Sequence, residues 1–407
     1  MPSLDQPSLE PAQMRRAGKG LLSLALMDAR NHSLRWLSAW EEVLDDPELT
    51  VPLHPEVNPP LWTLGQIGWF QEHWISRNLQ RHRGPRADPA SPRLASIEPL
   101  ADAWFDTSLV PHDAHWLLDL PGPQATREYL FDTLETTLEL LEHAGEDDDA
   151  LYFFRLALFH EDAQSEVFAG LAQTLGLDSG MVRLPGSAAA REPLLFPATA
   201  WHLGAEPGGF AFDNERPMHL QAIPGFEIDT QPVTWAQYCE FVEDGGYDEA
   251  AWWSTEGWAW VQREGRRCPR HVDQMRQGVL LRRFGRLTRV PLAQAVMHVN
   301  WYEADAWCRW AGRRLPSELE WEHAAHAGAS RGFRWGQAWE WTASSFRPYP
   351  GFQPGPVPGA PASAWAAHKV LRGASFATRD RLRHPKLRNP QPPQRDDLFS
   401  GFRSCAV

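Results

Sequence analysis

The stretch Val299-Asn-Trp-Tyr-Glu-Ala-Asp-Ala-Trp-Cys-Arg-Trp-Ala311, followed by Arg314-Leu-Pro-Ser-Glu-Leu-Glu-Trp-Glu322, decides the fold of this 407-residue chain. Asn300 to Ala311 reads as a helix set among short strands and long loops. Upstream stand Pro232-Val-Thr-Trp-Ala-Gln-Tyr-Cys-Glu-Phe-Val242 and Gly245-Gly-Tyr247; Val233 to Gly245 reads as a second helix. Downstream come Trp339-Glu-Trp341, Leu371-Arg-Gly-Ala-Ser-Phe376 and a terminal Gly401-Phe-Arg403. Short strands are expected at Pro217 to Ile223, Gly225 to Asp229, Lys369 to Leu371 and Gly401 to Cys405. Long structured loops on a small sheet scaffold are where function concentrates.

In this order the motifs resemble the formylglycine-generating-enzyme or sulfatase-modifying-factor domain, a variant of the C-type-lectin fold, over about residues 195–407. Most of the matching residues also read as scaffold, and a fold does not fix a function. The formylglycine-generating oxidases carry a copper-binding cysteine pair after the Arg-Gly-x-Ser motif. Ser375 to Phe402 holds no cysteine, so the resemblance implies no copper oxidase acting on sulfatases.

The first half has a different texture. Apolar residues recur at helical spacing from Ala17 to Leu44, and Pro59-Pro60 opens a second helical stretch to Leu79. Residues 81–122, rich in Pro, Arg, Asp and Ser, form an excursion. Further helices are expected at Gln124 to His143 and Ala150 to Leu175, separated by an acidic turn and closed by Gly176. Four helices with one long connection suggest a bundle. The domain reading is therefore 15–183 helical bundle, 184–194 linker and 195–407 lectin-like domain.

On the fourth helix, His160-Glu-Asp-Ala-Gln-Ser-Glu166 has the frame His-x3-His-x-Glu with Gln164 in the second histidine's place. Residues four apart share a helix face, so His160 and position 164 can point together. Gln66, on the second helix, is the natural third contributor. Facial three-ligand sites leave positions open on iron(II). Here only His160 is an imidazole, and alone it reads first as a hydrogen-bonded core histidine.

The two halves together resemble the ergothioneine-type sulfoxide synthases, in which a damage-inducible-B-like bundle is fused to the lectin-like domain. The wording is nearest their selenoneine synthase branch. The segments that carry this are Leu61-Trp-Thr-Leu-Gly-Gln-Ile-Gly-Trp-Phe-Gln-Glu72, Leu158-Phe-His-Glu-Asp162, His368-Lys-Val-Leu-Arg-Gly373, Arg388-Asn389 and Asp397-Leu-Phe-Ser-Gly-Phe-Arg-Ser-Cys405. The resemblance implies a three-histidine non-haem iron(II) site that uses O2. There a sulfur or selenium donor, a thiol or selenosugar, is joined to imidazole C2 of hercynine (trimethylhistidine). It places His160, Gln66 and Gln164 at the ligand positions, Ala163 where relatives carry a larger side chain, and Asn389 at a hercynine contact. Trp339 or Trp341 is a candidate to face the trimethylammonium by cation–π attraction. Two of three ligands replaced by glutamine should cost metal affinity heavily. Two functions follow: oxygen-dependent C–Se or C–S bond formation with an altered metal site, or a metal-deficient paralogue that binds hercynine, ergothioneine or a related betaine without turnover.

The bulk numbers agree with such a protein. Hydrophobic residues make up 43% and charged residues 22%, ordinary for a globular chain. The net charge of -13 argues against a broad nucleic-acid surface. No apolar run is long enough for a membrane span. Arg15, Arg16 and Lys19 precede no long apolar core, so no secretory leader is expected. Four widely spaced cysteines without a C-x-x-C pair suit a reduced, cytoplasmic protein.

Overall fold

The computed structural model describes residues 11–187, 191–275 and 278–407; residues 188–190 of the expected linker lie outside the described residues. A one-turn helix α1 (Pro11–Met14) leads into α2 (Lys19–Leu44), then α3 (Pro60–Gln71), a short α4 (Ala101–Phe105), α5 (Pro123–Glu142) and α6 (Asp148–Leu175). Pro60 and Pro123 sit in the first turn of α3 and α5, where a missing N–H costs nothing. Asp147 caps α6 by accepting from the Ala150 N–H, and Gly176 ends it in the left-handed conformation.

One arginine holds α2, α3, α5 and α6 together. Arg30 of α2 is 1% exposed. It pairs with Glu161 of α6 at 3.0 Å and donates to Thr133 of α5 at 3.3 Å, to the Leu130 carbonyl and to Gln71 of α3. Such a buried guanidinium is tolerable only because its N–H groups are met by oxygens. The second helical stretch departs from expectation after Gln71: residues Glu72–Ser76 form a π-helical turn. Glu72, in that turn, is buried and accepts from Tyr129, Ser96 and the Ile97 N–H. These bonds dock the 81–122 excursion onto the helices.

The second half begins at β1 (Leu194–Phe196). It continues through β2 (Thr199–Leu203), β3 (His219–Ile223), β4 (Phe226–Ile228), α7 (Trp235–Glu243), α8 (Thr255–Glu264), β5 (Val272–Gln274), β6 (Val279–Arg283) and β7 (Arg286–Val290). Then follow α9 (Trp301–Trp310), β8 (Arg313–Arg314), α10 (Glu318–Ala327), β9 (Trp339–Ser345), β10 (Lys369–Gly373), β11 (Arg388–Gln391), β12 (Ser400–Phe402) and β13 (Cys405–Ala406). The strands form small sheets in the orders β1-β4-β13-β8, β11-β10-β9-β12, β2-β3 and β5-β6-β7. Capping boxes at Thr234/Gln237, Asn300/Glu303 and Ser317/Glu320 start α7, α9 and α10.

The motifs quoted above are largely scaffold. Glu340 accepts the Trp321 indole N–H at 2.7 Å and pairs with Arg403 inside the core. Arg314 grips Glu320 through both guanidinium nitrogens, at 2.9 and 2.7 Å. Arg372 and Lys386 converge on the buried Glu322.

Candidate interdomain site

α3 and α6 run past one another in a register fixed by rings. Trp74 stacks on Phe153 at 5.5 Å, and Phe70 stacks on His160 at 3.8 Å with the planes 5° apart. One turn back along α3 from Phe70 is Gln66; one turn forward along α6 from His160 is Gln164. The register therefore puts Gln66 level with Gln164. Every residue of α3 is buried except Gln66, and from Ala150 to Asp162 every residue of α6 is buried except His160. Ala163 and Gln164 are partly exposed as well. α3 thus opens only at Gln66, and the 150–162 run of α6 only at His160.

His160 carries no charge here. Burial alone pushes its pKa down to about 3, and the Gln164 amide nitrogen lies 3.4 Å from its Nε2. The acids beside it are engaged elsewhere. Glu161 accepts from Arg30 and Ser33. Asp162 is gripped by Arg381 at 2.6 and 2.8 Å; burial raises its pKa while that arginine opposes the shift. His73, within the π-turn, accepts from Arg93 at 3.2 Å. Among the described residues no three His, Cys, Asp or Glu side chains stand where they could hold a metal ion. One imidazole and two neutral amides do not make the three-histidine iron(II) set that the resemblance implied. An amide carbonyl is a weaker and harder ligand than imidazole.

Glu166, the acid that ends the His160–Glu166 motif, plays a structural part. It turns away from His160 and crosses to the lectin-like half. There it accepts from the Trp339 indole N–H at 2.9 Å, from Thr378 at 2.6 Å and from Ser375. Burial raises its pKa and the three donors pull it back. The Ser375 of Arg-Gly-Ala-Ser and the first Trp of Trp-Glu-Trp were the available signals, each legible only as scaffold.

The substrate candidates separate. Trp339, 7% exposed, lies at this seam, two residues of α6 from Gln164. Trp341 is corrected to a core residue: it is fully buried in β9 and its indole N–H donates to the Val299 carbonyl at 2.9 Å. Asn389 is half-buried on β11, opposite Leu371 of β10, and accepts from Gln391 at 2.7 Å.

The model of the sulfatase-modifying factor enzyme 1-like domain matches residues 183–338. Hercynine oxygenase of Mycolicibacterium thermoresistibile is 31% identical, over 94% of this chain and 94% of its own. That of Mycolicibacterium smegmatis is 32% identical, over 92% and 96%. The formylglycine-generating enzyme of Streptomyces coelicolor is 30% identical over 39% of this chain and half of its own length.

Proposed function

Because this chain belongs to the hercynine oxygenase family, the ergothioneine-type sulfoxide synthases with a sulfatase-modifying-factor-like domain, we propose that its substrate is hercynine or a close betaine. The reaction is the oxygen-dependent joining of a sulfur or selenium donor to imidazole C2, in a site whose metal position is altered. The observation that carries this is similarity running through both halves, at 94% coverage of chain and relative alike. The helical half is read as a damage-inducible-B-like four-helix bundle (15–183), joined by a linker (184–194) to the lectin-like domain (195–407). The selenoneine branch rests on the wording of the 61–72, 158–162 and 397–405 segments.

In this reading the betaine lies in the cleft between Gln66, His160, Gln164 and Trp339, with Asn389 a contact from β11. The cleft helices offer neutral side chains, which suits an imidazole, and Trp339 supplies a ring for the trimethylammonium. No helix of the described residues is long and apolar enough to cross a membrane, and the four cysteines are free thiols. Both accord with work in the cytoplasm.

A second reading, betaine binding without turnover, is favoured by one observation: the described residues hold no three-ligand group, and the His160 nitrogen meets a glutamine amide instead. Anaerobic iron(II) loading followed by incubation with hercynine, O2 and a thiol or selenosugar tests the two. Oxygen-dependent product supports the enzyme. Saturable hercynine binding with no product supports the binder. Absence of both sinks the assignment to this substrate.

A further inference from the structure

A cavity of about 1040 Å3 opens on a side of α6 away from His160. Ser165 and Ala169 line it, and Ser165 lies about 140° around the helix from His160. Its other walls are α2, the 180–183 segment and the 376–383 loop. The volume is that of a small-molecule site.

The charges lining it do not balance. Five arginines face the cavity against two aspartates, Asp28 and Asp380. Asp28 pairs with Arg379 and Arg381, and Asp162 behind the wall pairs with the same two. Asp380 sits 3.5 Å from Arg383. Two cations are left without a carboxylate among the described residues, Arg35 and Arg183. Arg35 reaches only the Nδ1 of His32, at 3.2 Å. Burial, reinforced by Arg379 and Arg35, pushes the pKa of His32 down to about 4. His32 stands braced against Ser165 at 2.8 Å. In a chain of net charge -13, such a concave positive spot focuses anions. Apart from His32, Ser165 and Thr378 the rest of the lining is apolar, with Leu24 left 63% exposed beside Leu21, Met181 and Phe376.

We infer that this cavity is a second ligand site, for a small dianion of the phosphate-monoester class carrying an apolar body. Arg35 and Arg183 take the two charges, as guanidinium forks do on tetrahedral oxyanions, and the leucine-lined wall takes the body. The site stands apart from the hercynine cleft and does not depend on what that cleft does.

Calorimetric titration of the full chain with phenyl phosphate and with benzoate, at matched ionic strength, is the test. Phenyl phosphate should saturate one site and bind about tenfold or more tightly than benzoate, a gap of about 1.4 kcal/mol. The double variant Arg35→Ala/Arg183→Ala should weaken it by about tenfold or more with an unchanged melting temperature, both side chains being exposed. No saturation at millimolar phenyl phosphate, benzoate binding as tightly, or a double variant that binds like the parent would each overturn the site.

Discussion

The Trp339 indole N–H donates to Glu166 at 2.9 Å, tying the first residue of β9 to α6 two residues beyond Gln164. Through this bond and the hydroxyls of Thr378 and Ser375, the lectin-like half fixes the helix that carries His160. Removing one donor from a buried carboxylate costs about 1–3 kcal/mol. Trp339→Phe keeps a ring and deletes the N–H, so it should lower stability by that order. In a double-mutant cycle with Glu166→Gln, read by denaturant melts, the two substitutions should couple. Simple additivity would mean that the bond contributes nothing.

Trp341, on the same strand, should behave differently. With its ring fully buried and its N–H on the Val299 carbonyl, Trp341→Ala should cost about 3–5 kcal/mol of stability. The folded fraction should still bind hercynine with parental affinity. A stable variant with weakened hercynine binding would return Trp341 to the site.

Asn389 is expected to show the opposite pattern. It is half-buried at the start of β11, so Asn389→Ala should leave the melting temperature within about 1–2 °C, an effect below 0.5 kcal/mol as is usual for such positions. Hercynine affinity, measured by calorimetry, should fall about tenfold if a hydrogen bond to the betaine is lost. Unchanged affinity would remove Asn389 from the proposed contacts.

The cap of α9 sets a pH dependence. Burial raises Glu303 to about 7, opposed by donors from Tyr247 and the Asn300 N–H. A carboxyl raised in the folded state stabilises fully below its ordinary value near 4.5, and that contribution is lost as pH climbs through 7. The stability difference between parent and Glu303→Gln should therefore shrink by about 3 kcal/mol from pH 4 to pH 8. Denaturant melts at the two pH values measure it, and a difference that stays constant or grows contradicts the assignment.

Much of this was legible in the sequence, and the losses have physical causes. Of the long helices, α2 and α5 showed because each buries one stripe and announces it every three or four residues, while α3 and the first half of α6, buried nearly all round, showed as apolar runs after a proline or a turn. The second of them was overrun, since the π-turn at Glu72–Ser76 adds a residue to the turn without leaving an apolar signature. β9 went unread as a strand because its first four residues are all buried, which erases the alternation of a half-exposed strand. The β6–β7 hairpin turns on Phe284 and Gly285, both at positive φ. Phe is an unlikely occupant of that conformation, so no turn pair was visible. Gln66, Gln164 and His160 were found as a set because family wording, not spacing, marked them. Arg30 was missed because a lone charge on a helix says nothing about where its partners come from.

The proposed site has one imidazole and two amides in place of three imidazoles. The most direct measurement is the iron retained after anaerobic loading with iron(II) and desalting, for the parent and for Gln66→His/Gln164→His. The parent should keep well under one equivalent, and the double variant should approach one, a gain expected to exceed the roughly 10–100-fold lost with outer-sphere partners alone. A parent that retains a full equivalent, or a double variant that retains no more than the parent, would contradict the account.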